Sequence, residues 1–89
     1  MIYLEDLVKK FTAEGHYLIY ENGWSGYEDH SCINIFQRED NSYFYILDSS
    51  SCMASGRDDP SVHECTEDEA LALIIEWDED IAEWEKNFL

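Results

Sequence analysis

The chain has 89 residues, with 21 Asp and Glu against 5 Lys and Arg, which gives a formal net charge of −16. A charge this negative argues against nucleic acid and anionic membranes as direct ligands, because both repel it. A content of 45% apolar and 15% aromatic residues excludes an acidic disordered tail, and the length predicts a single domain over residues 1–89.

The first half of the chain predicts one helix and three strands. Apolar residues recur at helical spacing over residues 3–13, so this segment predicts an amphipathic helix that ends at Gly15. A polar turn at residues 38–41 joins two alternating segments into a hairpin, and residues 22–29 predict a structured loop. The predicted strands cover residues 16–21, 31–37 and 42–48.

The second half predicts a long loop and a long helix. Residues 49–65 begin with a serine-rich run and contain Gly56 and Pro60, a composition typical of a loop. From Thr66 a capping box precedes an apolar stripe with steps of three and four, which predicts a helix from 67 to about 86. The predicted fold is α+β in the order α-β-β-β-α: a three-stranded antiparallel sheet with an N-terminal helix and a long C-terminal helix, both packed on one face.

Acidic side chains are concentrated in residues 58–85, which contain twelve carboxylates and no Lys or Arg. On the predicted helix a row of acids lies opposite the apolar stripe, without the basic residues that would pair with them at i,i+4. Four helical residues rise about 6 Å, and phosphates along one DNA strand have a spacing of that order. The row therefore predicts either an ordinary solvated face or an imitation of a phosphate backbone. The carboxylates predicted to bind a partner are Glu69, Glu76, Glu79, Asp80 and Glu83 on the helix and Glu28, Asp29, Asp58 and Asp59 in the loops.

Two aromatic residues add to the predicted partner surface. Trp24 and Tyr27 lie in a glycine-containing segment flanked by acids, and aromatic side chains in such a setting are typical interface anchors. Trp77 and Trp84 fall on the apolar stripe of the long helix and are predicted to lie in the core.

Two His-x-Cys pairs contain the residue types that bind zinc. His30 with Cys32, and His63 with Cys65, would together supply the ligands of a Cys2His2 zinc site. The spacing is not a standard zinc pattern, and Cys32 falls in the register of a buried thiol. No cofactor is therefore predicted, with a zinc-stabilised structural module as an alternative. No segment resembles a nucleophile elbow or an oxyanion loop, so an enzyme is not predicted.

In its order of elements and its charge, the chain resembles the small acidic inhibitors that phages deploy against CRISPR–Cas complexes. The resemblance lies in the hairpin from Ile33 to Asp48, with its polar turn at residues 39–42, and in the acid-loaded segment from Asp58 to Glu85. It is a resemblance of class and transfers no residue's role. It implies a DNA mimic, whose carboxylates occupy the Lys/Arg cleft that reads the PAM duplex or holds nucleic acid.

The expected function is an inhibitor that binds the basic nucleic-acid-binding site of a partner protein, with a phage anti-CRISPR against a Cas protein or complex as the leading instance. The alternative is an immunity protein or antitoxin that neutralises a basic nuclease or other toxin. The N-terminus shows no signal-peptide pattern, and no apolar stretch approaches the roughly 20 residues of a membrane span. Three cysteines without a secretory signal predict free thiols and a reducing cytosol. If the protein is phage-encoded, as the resemblance implies, this is the cytosol of the bacterial host.

Overall fold

The computed structural model describes residues 3–25, 29–51 and 60–88, which form two helices and a four-stranded sheet. Every neighbouring pair of strands is antiparallel, and the strands lie side by side in chain order. The predicted α+β class, antiparallel sheet and two terminal helices are confirmed, whereas the predicted number of three strands is wrong. The elements are α1 (Leu4–Ala13), β1 (Tyr17–Ser25), β2 (Asp29–Gln37), β3 (Tyr43–Ser51), β4 (Ser61–Cys65) and α2 (Glu67–Phe88).

The two helices pack on opposite faces of the sheet, which we call the α1 side and the α2 side. Along β2, Ile33 and Ile35 point to the α2 side, whereas Phe36 points to the α1 side. The prediction that both helices share one face is wrong, because β2 and β3 carry large apolar side chains on both faces and each face needs a cover. The buried residues are Ile33, Ile35 and Ala70 on the α2 side and Phe36, Phe44 and Ile46 on the α1 side.

The fourth strand lies within the segment for which the sequence predicts a loop, residues 49–65. β3 continues to Ser51, and β4 pairs with it from Tyr43 opposite Cys65 to Leu47 opposite Ser61. Four of the five β4 residues are exposed and only Cys65 is partly buried. The strand therefore lacks the apolar alternation that marks a half-buried strand in a sequence.

β1 is longer than predicted, because it continues through Asn22 and Gly23. An Asn-Gly pair usually marks a hairpin turn. Here Gly23 pairs with Cys32 of β2, and a Cβ atom at Gly23 would lie 2.5 Å from the Cβ of Cys32. Glycine is required at this position by the close approach of two strands rather than by a turn.

Both helices carry the terminal signals that the sequence predicts. α1 ends at the cap residue Glu14, and Gly15 follows it with a φ of 92°, a left-handed conformation that glycine adopts without strain. At the start of α2, the Thr66 backbone N–H donates to Glu69 Oε1 and the Glu69 N–H donates to Thr66 Oγ1, both at 3.2 Å. The predicted capping box is confirmed.

Candidate functional site

The outward side of α2 carries a line of carboxylates. Glu69, Glu76 and Glu83 recur every seven residues, about two helical turns, so they lie along one line of the helix. Asp80 lies on one side of this line and Glu79 on the other. All five side chains are exposed. We call these five residues the acidic ridge.

The buried side of α2 determines where the acidic ridge points. Ala70 is 2% exposed, and Leu73, Ile74 and Trp77 pack with it against the buried isoleucines of β2. These four residues recur at steps of three and four and define one face of the helix. The acidic ridge lies away from that face and points to solvent.

Asp78 belongs to the acidic run at residues 78–80, but it faces the sheet. Its Oδ1 accepts hydrogen bonds from Tyr20 Oη at 2.6 Å and from Asn22 Nδ2 at 3.1 Å. Burial, and then the hydrogen bond to the Asp78 carboxylate, raises the pKa of Tyr20. Asp78 therefore fixes the rotation of α2 on β1. The sequence alone does not distinguish Asp78, which contacts the sheet, from its acidic neighbours Glu79 and Asp80, which face solvent.

Trp24 is engaged within the chain. Its ring stacks on that of Trp84, with centroids 6.2 Å apart and an interplanar angle of 29°, and both side chains are half-buried. Trp24 thus ties the C-terminal half of α2 to β1. Of the two tryptophans predicted to lie in the core, Trp77 packs half-buried against the α2-side cluster, whereas Trp84 is half-buried against Trp24. The other loop candidates, namely Tyr27, Glu28, Asp58, Asp59 and the side chain of Asp29, lie outside the described residues.

One acid on the α1 side of the sheet is neutralised by the chain itself. Arg38 donates to both carboxylate oxygens of Glu64, at 2.6 and 2.7 Å, and its guanidinium lies 4.5 Å from the ring centroid of Phe44. The hydrogen bonds from Arg38 lower the pKa of the Glu64 carboxyl. In the described part of the chain, by contrast, no ion pair involves an acidic ridge residue. Apart from Glu69, whose Oε1 accepts the capping-box hydrogen bond from Thr66, the carboxylates of the ridge are available to another molecule.

The two His-x-Cys pairs lie on opposite faces of the sheet. Cys65 packs against the α2-side cluster, whereas Cys32 shares the face of Phe36, on the α1 side. The four-ligand zinc site considered from the sequence, with His30, Cys32, His63 and Cys65, is therefore not assembled. Burial, followed by neighbouring carboxylates, raises the pKa of Cys65 and disfavours the thiolate that zinc binds. Within residues 3–25, 29–51 and 60–88, no three His, Cys, Asp or Glu side chains are placed to hold a metal ion.

A cleft of about 500 Å³ opens on the α1 side, between the start of α1 and the sheet. Asp48, which is 3% exposed, lies in this cleft with its Oδ2 3.3 Å from His30 Nε2. The sequence did not single out Asp48, because an acid at the end of an alternating run resembles a strand boundary. His30 of the first His-x-Cys pair thus makes a carboxylate–imidazole contact between β2 and β3. The cleft is lined by Tyr3, Leu4, Glu5, His30, Cys32 and Asp48.

The chain matches no protein-family model, no curated protein and no solved structure. Of the two described helices, neither is long and apolar enough to cross a membrane. The acidic ridge, through its geometry and charge, is the feature of the described residues that supports a function.

Proposed function

We propose that this protein is an inhibitor that occupies the basic nucleic-acid-binding site of a partner protein with its acidic ridge. The observation that carries the proposal is the line of five exposed carboxylates on one helix, without an ion pair to the described residues. A cleft of Lys and Arg that holds phosphates binds carboxylates by the same charge-assisted hydrogen bonds. A phage anti-CRISPR acting on a Cas effector in the bacterial cytosol is the leading instance.

The anchoring of α2 supports a role in mimicry. The Tyr20–Asp78 hydrogen bond and the Trp24–Trp84 stack hold the helix at two points along its length. A ridge fixed in this way presents Glu76, Asp80 and Glu83 at intervals of about one helical turn, 5.4 Å, with Glu69 about two turns before Glu76. Because the helix backbone is already ordered, binding has to fix only the exposed side chains and costs no ordering of the backbone.

Competition with nucleic acid tests the proposal directly. A panel of purified guide-loaded Cas effectors, and basic nucleases as the alternative partners, is mixed with labelled target duplex and increasing amounts of this protein. In an electrophoretic mobility assay we expect one partner to lose its duplex as the inhibitor binds. A stable ternary complex that still holds DNA normally would contradict mimicry and indicate an allosteric block.

Charge reversal on the acidic ridge identifies the contact surface. The double variant Glu76→Lys/Asp80→Lys should abolish inhibition, because it places positive charge in a basic cleft. The matched control, Glu5→Lys/Glu14→Lys, changes the net charge equally at exposed carboxylates of the α1 region and should inhibit normally. If both double variants inhibit as well as the parent, the acidic ridge is not the contact surface.

Salt dependence measures how far the charge steers association. With a net charge of −16 and a basic partner, the association rate should fall steeply between about 0.01 M and about 0.15 M salt, as the Debye length shrinks from about 30 Å to about 8 Å. Stopped-flow or surface-based kinetics would measure this rate. A rate that stays flat across the range would exclude electrostatic steering as the main role of the acids.

A further inference from the structure

Asn34 is a buried polar residue whose side chain makes no hydrogen bond to the described part of the chain. It is 5% exposed and lies in the middle of β2. Because it shares the face of Phe36, two residues further on, it points to the α1 side. A buried carboxamide without a partner destabilises the fold, so its presence in the sheet calls for an explanation.

Asn34 lines a pocket of about 370 Å³ between α1 and the β1–β2 pair. This volume lies within the range of about 300–1,000 Å³ that is typical of small-molecule sites. The pocket adjoins the cleft that contains Asp48, because Leu4 and Glu5 line both. We call the following six residues the Asn34 pocket: Leu4, Glu5, Val8, Lys9, Glu21 and Asn34.

Two carboxylates line the Asn34 pocket from its two walls. Glu21 lies directly opposite Asn34 in the β1–β2 ladder, so their Cβ atoms are about 5 Å apart on the α1 side. Glu5 lines the pocket from α1, where Leu4 and Val8 supply an apolar surface. Within residues 3–25, 29–51 and 60–88, neither Glu5 nor Glu21 forms an ion pair. Both carboxylates are therefore available to a bound group.

The pocket continues along β1 toward Gly23. This extension has a volume of about 400 Å³ and shares Leu4, Glu21 and Asn34 with the pocket itself. No side chain at residue 23 could fill it, since a Cβ atom there would lie 2.5 Å from the Cβ of Cys32. A ligand longer than its charged group therefore has room for an alkyl chain beside Leu4.

The charges of the Asn34 pocket favour an organic cation. Glu5 and Glu21 outweigh Lys9, the basic residue of the lining, and the whole chain has a net charge of −16, so an anion is repelled. In the described residues no three His, Cys, Asp or Glu side chains are placed to hold a metal ion. A cation with N–H donors would instead form charge-assisted hydrogen bonds to both carboxylates.

We propose that the Asn34 pocket binds a guanidinium group. A guanidinium has five N–H donors in one plane and no acceptor, so it can donate to Glu5, Glu21 and the Asn34 Oδ1 together. An ammonium group is more compact and more strongly hydrated, and therefore fits these spread acceptors less well. The group can belong to a free alkylguanidine or to an arginine side chain of a protein. The inference does not depend on the proposed function, because the acidic ridge lies on the other side of the sheet.

A titration followed by nuclear magnetic resonance tests the proposal on the unmodified protein. Three monovalent cations are compared at about 0.15 M salt, which screens non-specific attraction to the acidic chain. They are n-propylguanidinium, N-acetylarginine methylamide and, as the control without N–H donors, tetramethylammonium. We expect a guanidinium compound to bind at least about tenfold more tightly than the control and to shift the side-chain amide resonances of Asn34.

The two guanidinium compounds distinguish the sources of the group. Binding of N-acetylarginine methylamide, in which peptide bonds flank the arginine, would identify an arginine side chain as the ligand. Binding of n-propylguanidinium alone would identify a free alkylguanidine. If neither compound binds more tightly than tetramethylammonium, the proposal is wrong.

Variants of the two β-strand residues locate the site. Asn34→Leu keeps a similar volume but removes the carboxamide, so binding should weaken at least about tenfold while the melting temperature stays the same or rises. Glu21→Gln should also weaken binding about tenfold, whereas the control Glu79→Gln, which removes the same charge from the acidic ridge, should bind normally. Equal binding by Glu21→Gln and Glu79→Gln, or a large loss of stability in Asn34→Leu, would overturn the assignment.

Discussion

The two faces of the sheet bury their apolar side chains in different ways. On the α1 side, Phe11, Phe36 and Phe44 form an aromatic cluster with ring centroids 4.9 to 5.8 Å apart, under a helix of ten residues. On the α2 side the buried core consists of two isoleucines and Ala70. Half-buried tyrosines and tryptophans surround it, and some of them use their polar groups or ring faces to hold α2 in place.

Because of this difference, we expect the α1 side to supply most of the stability and the α2 side to carry the proposed function. The α1 side buries two phenylalanines and an isoleucine almost completely and carries no part of the acidic ridge. The α2 side positions a helix whose outer surface is free for a partner. A substitution beneath α1 should therefore affect folding, whereas a substitution on the outer surface of α2 should affect binding.

The largest expected effect is on the α1 side. Phe36→Ala should lower the free energy of unfolding by roughly 3–5 kcal/mol, because it leaves a cavity beneath the aromatic cluster. Urea denaturation measures the loss. The control Val62→Ala lies on the same face at an exposed position and should cost less than about 1 kcal/mol. A loss at Phe36 no greater than at Val62 would show that the α1 side is not the stability centre.

Trp84→Ala should have a smaller effect, about 2 kcal/mol, because the side chain is half-buried near the end of α2 rather than enclosed. It should also remove the near-ultraviolet circular dichroism that arises from the Trp24–Trp84 stack. Thermal melting and near-ultraviolet spectra on the same variant measure both changes. If Trp84→Ala lowers the free energy of unfolding more than Phe36→Ala does, the α2 side contributes more to stability than the α1 side.

The third effect concerns one hydrogen bond on the α2 side. Tyr20→Phe removes the donor to Asp78 and should cost about 1 kcal/mol at neutral pH. The pKa of Tyr20 is raised in the folded protein, so its contribution is complete below an unfolded pKa of about 10 and is lost as the pH rises through the higher folded pKa.

The difference in unfolding free energy between the parent and Tyr20→Phe should therefore shrink above about pH 10. Urea denaturation at neutral and alkaline pH tests this, with Tyr17→Phe as the control at an exposed tyrosine of the same strand. A difference that stays constant with pH would show that the Tyr20 hydroxyl does not stabilise the fold through Asp78.

The features predicted correctly from the sequence depend on short-range periodicity. The acidic ridge follows from the helical period alone, and the hairpin follows from alternating residues in β2 and β3. β4 was missed because an exposed edge strand buries few side chains and so leaves little apolar pattern. The anchoring roles of Trp24 and Asp78 depend on contacts 60 and 58 positions apart in the chain, and no local pattern encodes such contacts.

The smallest expected effect on stability is on the acidic ridge. Glu76→Lys/Asp80→Lys changes two exposed side chains and keeps one like-charge pair, at i,i+4, between the two new lysines. It also creates attractive i,i+3 pairs with Glu79 and Glu83, each worth about 0.2–0.5 kcal/mol. The free energy of unfolding should therefore stay the same or rise by up to about 1 kcal/mol, while inhibition is lost. Thermal melting of the same variant that is used in the binding test measures this change in stability. A clear loss of stability would show that the acidic ridge contributes to the fold and not only to binding.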